Sequence, residues 1–209
     1  FGDWSSDVCS SDLLYSAVFH SVSAFCNAGF SLFPDNLVGF RADPLVNTTI
    51  IALIILGGIG FLVIREVMAW IGARIRHLRR PRRRHIRISL HGKVVLVTSV
   101  FLIFYGAVLI GWLERDNALA GMPFLEGMWT ALFQSVSART AGFNTVDLGA
   151  FRSPTLFLMM FLMFVGASPG SAGGGVKTTC LALFFAVFYS RLKGTTPVSL
   201  FPRTIPDEL

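Results

Sequence analysis

FQSVSARTAGFNT, residues Phe133–Thr145, begins as a short apolar segment and closes on Thr140, Ala141, Gly142 and Phe143. It is too short to cross a bilayer, which takes about 20 apolar residues in a helix. Longer apolar runs flank it on both sides. A short helix and a glycine turn held between two spanning helices describe a re-entrant pore loop. Irregular backbone of that kind is tolerated at membrane depth only where protein buries it or water lines it. The text recurs upstream as FHSVSAFCNAGFSL, Phe19–Leu32. Phe, Ser, Val, Ser and Ala repeat at 19/133, 21/135, 22/136, 23/137 and 24/138, and Ala-Gly-Phe at 28–30 and 141–143. The second copy is one residue shorter between its first Phe and its Gly. Matching of this extent marks an internal repeat.

Composition agrees. Of 209 residues, 53% are hydrophobic and only 14% charged, against about 25% charge in an ordinary soluble domain. The reading is an integral membrane protein. A net charge of +6 spread over a soluble surface would suggest nucleic acid, but here it is clustered. Arg74, Arg76, Arg79, Arg80, Arg82, Arg83, Arg84, Arg87 and Lys93 face one acid, Glu66, between residues 65 and 93. By the positive-inside rule that segment is cytoplasmic. Attraction to anionic lipid explains the cluster without nucleic acid. Cys9, Cys26 and Cys180 are odd in number and irregularly spaced, so neither a disulfide framework nor a metal site is indicated.

The expected organisation follows. Residues 1–13 are polar, acidic and out of keeping with the rest, and read as a non-native tail on a truncated chain. Residues 14–64 form one pore repeat: a short helix over Leu14–Cys26, a turn at Asn27–Phe30 and a span over Leu45–Ile64, whose Gly57, Gly58 and Gly60 give a small face for close packing. After the basic loop 65–93, residues 94–190 form another repeat, with an outward span over Val94–Leu113 and a short helix over Phe124–Ala138. Its last span, Pro154–Tyr189, is broken at Gly166–Thr179 (GASPGSAGGGVKTT), since a proline and five glycines cannot make ordinary helix. Residues 191–209 are a cytoplasmic hinge. Both turns then face outward and both basic segments inward.

The turns carry the expected ion sites. A helix entering from outside aims its partly negative C-terminus at the pore centre, which favours a cation. Carbonyls following it can replace the water of a dehydrated ion, and glycine permits the backbone angles required. The candidate filter residues are Asn27, Ala28, Gly29 and Phe30 with Thr140, Ala141, Gly142 and Phe143. Arg139 is expected to brace its turn from behind rather than line the ion path, where it would repel cations. In the broken span, Ser168, Gly170, Ser171, Gly173, Gly174, Gly175 and Lys177 make a candidate gate. Lys177 is either an electrostatic barrier or the partner of a carboxylate outside this chain. The alternative, a phosphate loop of a membrane enzyme or translocase, needs glycine where Val176 stands. His20 is matched by Gln134, and a group that an amide replaces reads as a hydrogen-bonding strut.

FHSVSAFCNAGFSL, FQSVSARTAGFNTVDL and GASPGSAGGGVKTT resemble, in order and spacing, the second filter, third filter and intramembrane gate loop of the Trk/Ktr potassium transporters, with the gate loop nearer the Ktr branch. The resemblance covers residues 14–209. It implies an all-α polytopic membrane protein of repeated helix–pore loop–helix units, as in potassium channels, with the first and fourth repeats lacking and about half a pore present. It further implies K+ as substrate with Na+ as coupling or activating ion, no cofactor in this chain and no enzymatic activity. Implied partners are a second copy in a homodimer and a cytoplasmic nucleotide-binding regulatory ring. The implied location is the bacterial plasma membrane.

Overall fold

The computed structural model describes residues 10–79, 88–193, 199–200 and 203–204. Most of the tail (residues 1–9), most of the arginine cluster (80–87) and most of the hinge fall outside the described residues. Among the described residues the regular structure is helical apart from one two-residue strand pair. Its elements are α1 (Ser10–Phe25), α2 (Pro44–Ile59), α3 (Phe61–Arg79), α4 (Leu90–Leu113), α5 (Phe124–Ala138), α6 (Ser153–Phe164) and α7 (Thr178–Lys193). Strands β1 (Ser199–Leu200) and β2 (Arg203–Thr204) pair antiparallel.

Local chemistry sets several of these ends. Asp43 caps α2 by accepting from Leu45 N at 2.9 Å and Val46 N at 3.2 Å, with Pro44 at the first helical position. Ser89 caps α4 by accepting from Gly92 N at 3.0 Å, so α4 begins ahead of the expected Val94. Among the described helices α4, with 24 residues, is the one long and apolar enough to cross a membrane alone.

The span expected over Leu45–Ile64 is not one helix. It stops at Ile59, and α3 leaves at 107° to α2. The pivot is Gly60, at φ +90°. Its face lies against the 165–177 segment, where a Cβ on Gly60 would meet Pro169 O at 2.6 Å. The expected basic loop is therefore helical as far as Arg79. Its Glu66 turns back to α4, accepting from Ser89 Oγ at 2.8 Å and Ser89 N at 3.2 Å. Gly57 does serve close packing: a Cβ there would run into the Phe25 carbonyl at the end of α1.

α5 is the central element, packed on α2, α4 and α6. Its last turns are buried from Thr130 to Ala138, apart from the half-buried Leu132. Phe133 and Val136 of α5 share one core with Ala24 of α1 and Ile50, Ile51 and Ile54 of α2. The two repeats are thus held by a common apolar centre.

Polar clamps tie the loops to the helices. Arg41, after the first turn, pairs with Glu126 of α5 at 2.9 Å. Glu114, just beyond α4 and fully buried, accepts from Asn117 Nδ2 at 2.6 Å, Arg152 N at 2.9 Å and Thr155 Oγ1. Burial alone would push this carboxyl up, but the bonds from Thr155, Asn117, Arg152 and Ala118 outweigh it and hold it below its ordinary value. A carboxylate lowered on folding stabilises above its unfolded pKa and loses that contribution as pH falls through its folded value. Glu114→Gln is therefore expected to lower stability at pH 7 by about 1–3 kcal/mol. In thermal unfolding in detergent, the gap between the two proteins should close towards acid pH.

Candidate functional site

Both short helices end in the same construction. In the first, Ala28 N donates to Ser23 O at 2.9 Å and Ser23 Oγ to Phe30 O at 2.8 Å. In the second, Ala141 N donates to Ser137 O at 3.0 Å and Ser137 Oγ to Phe143 O. The serines, alanines and phenylalanines occupy matching places in the repeat. Each turn also alternates through the left-handed region, with Asn27 at φ +51° and Gly29 at +71°, Thr140 at +77° and Gly142 at +86°. Asn27 and Thr140 are unusual there, the β-branched threonine most of all. Glycine spacing points to two of these positions; nothing in the sequence points to the other two.

The two turns touch. A Cβ on Gly29 would strike the Ala141 carbonyl and lie 2.9 Å from Gly142 Cα. Beyond the turns, Leu37 N donates to Asn144 O at 3.1 Å and Asn144 N to Asn36 Oδ1 at 3.3 Å, so each exit segment holds the other. The turns are not equivalent in burial: Phe143 is 2% exposed and Phe30 69%. His20 binds within its repeat through both ring nitrogens. Leu32 N donates to Nε2 at 3.3 Å, Ser31 Oγ lies 3.0 Å from it, and Nδ1 sits 2.7 Å from Ser16 O. Gln134 Nε2 reaches Thr145 Oγ1 at 3.5 Å.

Residues 165–177 separate α6 from α7 and lie beside both turns. A Cβ on Gly173 would meet Thr140 Oγ1 and Ala167 Cβ, each at 2.5 Å, with the Asn27 amide at 3.3 Å. The segment is closely bonded. Ser168 N donates to Gly58 O at 3.0 Å, Ala172 N to Gly57 O at 3.2 Å and Phe61 N to Gly170 O at 3.2 Å. A helix end leaves its last carbonyls without partners; at the end of α2 this loop supplies them. Val176 N does the same for Phe164 O of α6 at 2.9 Å, and Ala167 N bonds Gly174 O at 3.0 Å. Inside the loop Ser171 Oγ donates to Ser168 O at 2.6 Å, and Ser168 Oγ lies 3.1 Å from Thr178 Oγ1. Lys177 Nζ donates to Gly173 O at 3.0 Å, a third arrangement beside the two expected for it. Gly170 and Gly175 sit at φ +72° and +77°, while Gly174 faces open space. The loop's own residues do not announce these bonds; the glycines Gly57, Gly58 and Gly60, at a helix end, are the sequence signal for them.

Arg139, the residue that ends α5, donates neither to its own turn nor to the other. Its guanidinium reaches Ser99 O and Ser99 Oγ of α4, both at 3.4 Å, and Gly166 O at 3.3 Å.

Paired short helices, glycine turns meeting backbone to backbone and a broken helix beside them define the pore-loop class of multi-pass membrane proteins. Residues 3–206 match the TrkH family, described as cation transport protein. The chain belongs to that family. It is 43% identical over 194 residues to Ktr system potassium uptake protein B of Vibrio alginolyticus, covering 92% of this chain and 40% of the relative. It is 37% identical over 194 residues to the protein of the same name from Bacillus subtilis, covering 92% and 41%. Against the potassium/sodium uptake protein NtpJ of Enterococcus hirae identity is 35% over 193 residues, covering 92% and 40%. The crystal structure of the potassium transporter TrkH from Vibrio parahaemolyticus matches with a TM-score of 0.73 at 20% identity, over 93% of this chain and 40% of that one. The chain thus spans about 40% of the length of these relatives.

Proposed function

We propose that this chain forms part of the wall of a potassium pathway across the bacterial plasma membrane, within a subunit of its relatives' length. The observation that carries the reading is the contact between Gly29 and Gly142, which puts two filter turns of one design side by side. Carbonyls of Asn27, Ala28, Gly29 and Phe30 and of Thr140, Ala141, Gly142 and Phe143 would coordinate the ion. The C-terminal ends of α1 and α5, both directed at the turns, favour a cation there. The 165–177 segment, beside Thr140 and Asn27, is the gate. The turns face outward and the basic α3 lies on the cytoplasmic side.

Sodium acts as a coupling or activating ion, as the name of the Enterococcus relative suggests. A second copy and a cytoplasmic nucleotide-binding ring complete the assembly. The role is transport and not enzymatic. A phosphate loop needs glycine where Val176 stands, and the N–H of Val176 is engaged by Phe164 O.

The test is ion uptake into proteoliposomes carrying the complete subunit, alone and with its regulatory partner. Uptake of K+ exceeding that of Na+ by tenfold or more is expected. No uptake, or uptake of both ions alike, would overturn the proposal.

A further inference from the structure

Arg139 is a cation at membrane depth, and the structure gives it no carboxylate among the described residues. A cation there is costly, and such residues mark function more often than packing. All three of its bonds are to uncharged groups, namely Ser99 O, Ser99 Oγ and Gly166 O, at 3.3–3.4 Å. Those lengths exceed the usual 2.9–3.0 Å, and Nε, also buried, has no partner. Bonds of this kind hold an element weakly enough to release it.

What they hold is specific. Gly166 is the start of the gate loop, closed on itself so tightly that a Cβ there would strike the Gly174 carbonyl. Ser99 belongs to α4, the one described helix long and apolar enough to cross a membrane unaided. The guanidinium sits where the end of α2, α4 and the loop converge, lining a small cavity with Gly58, Ile59 and Ala167. Through its backbone the same residue is joined to Thr140, against which Gly173 packs.

We propose that Arg139 is a latch: a positioning residue that fastens the hinge of the gate loop at Gly166 to α4, keeping Gly173 beside the filter turns. This rests on the transport reading above and gives that site its control point. Release requires only that Gly166 move away, since the guanidinium keeps both acceptors on Ser99. Its side chain therefore sets the balance between loop positions and leaves the filter backbone alone.

The experiment uses the complete subunit in proteoliposomes, with K+ and Na+ uptake measured in parallel before activation. Arg139→Gln is expected to raise basal K+ uptake about tenfold, the shift that losing one charge-assisted hydrogen bond gives. The K+/Na+ ratio should stay at its wild-type value. Ser99→Ala should raise uptake in the same direction by a smaller factor, and Arg139→Lys should lie between wild type and Gln. A drop in the K+/Na+ ratio with basal uptake unchanged would overturn the latch and make Arg139 a filter brace. Unchanged or reduced uptake in all three variants would also overturn it. Should Arg139→Gln fail to give monodisperse protein, Ser99→Ala decides, and unchanged uptake in that variant counts against the latch. Absence of K+ uptake in the wild type is a different result, for it removes the transport reading itself.

Discussion

Gly29→Ala is expected to reduce potassium uptake by about 100-fold, while Gly142→Ala costs about tenfold. Both glycines sit in the left-handed region, at φ +71° and +86°, and any L side chain there bears a strain of about 1–2 kcal/mol. The positions differ in what surrounds them. At Gly142 the added carbon would lie 3.4 Å from Gly29 Cα, an ordinary contact. At Gly29 it would collide with the Ala141 carbonyl and sit 2.9 Å from Gly142 Cα. Those are backbone atoms of the other turn and have no rotamer to change. Overpacking of this kind adds about 1–3 kcal/mol, which brings the total near the ~3 kcal/mol that corresponds to 100-fold. Uptake by purified full-length variants, with the K+/Na+ ratio recorded for each, checks the difference. Equal losses at the two positions would mean that contact between the turns does not shape the filter.

Gly173→Ala is the second large effect. Its Cβ would press on Thr140 Oγ1 and Ala167 Cβ, each at 2.5 Å. Thr140 Oγ1 can turn about its χ1, but Ala167 has only its methyl and no rotamer to change. Residues 165–177 must draw back or Thr140 must shift. Basal uptake is expected to rise about tenfold, with a fall in the K+/Na+ ratio that separates this change from Arg139→Gln. Gly174→Ala is the control, since nothing lies within 4 Å of the position; its effect should stay below about threefold. Reduced uptake in Gly173→Ala would show instead that the displaced loop moves into the ion path.

The repeat made much of this legible. Periodicity and glycine signals place α5 and the break between α6 and α7, because those features are written locally as apolar runs, caps and breakers. The turns stand out by their duplication and not by any single residue. What escaped the sequence is tertiary. Leu45–Ile64 reads as one apolar span, yet the helix ends at Ile59 because a loop over 100 residues later supplies partners for its last carbonyls. Asparagine tolerates the left-handed region, but Thr140 has no local reason to adopt it; the bonds of Ser23 and Ser137 to the far side of each turn accompany it. Arg139 reads from its neighbours as a brace for its own turn, but a side chain of that length goes where acceptors are, and those lie on α4 and at Gly166. Glu114 carries no signal, as one carboxylate beyond a helix end resembles any other.

The first repeat has one residue more between its opening Phe and its glycine than the second, and the phenylalanine of its turn is open where the other is enclosed. A ring of identical subunits meets every inherited change as many times as it has subunits, so a substitution that is mild once becomes severe when multiplied. Here each position of the turn occurs in its own version and is altered alone. Selection can therefore tune one side of the ion's surroundings while the facing side stays as it was, and graded departures from an ideal filter become accessible one residue at a time.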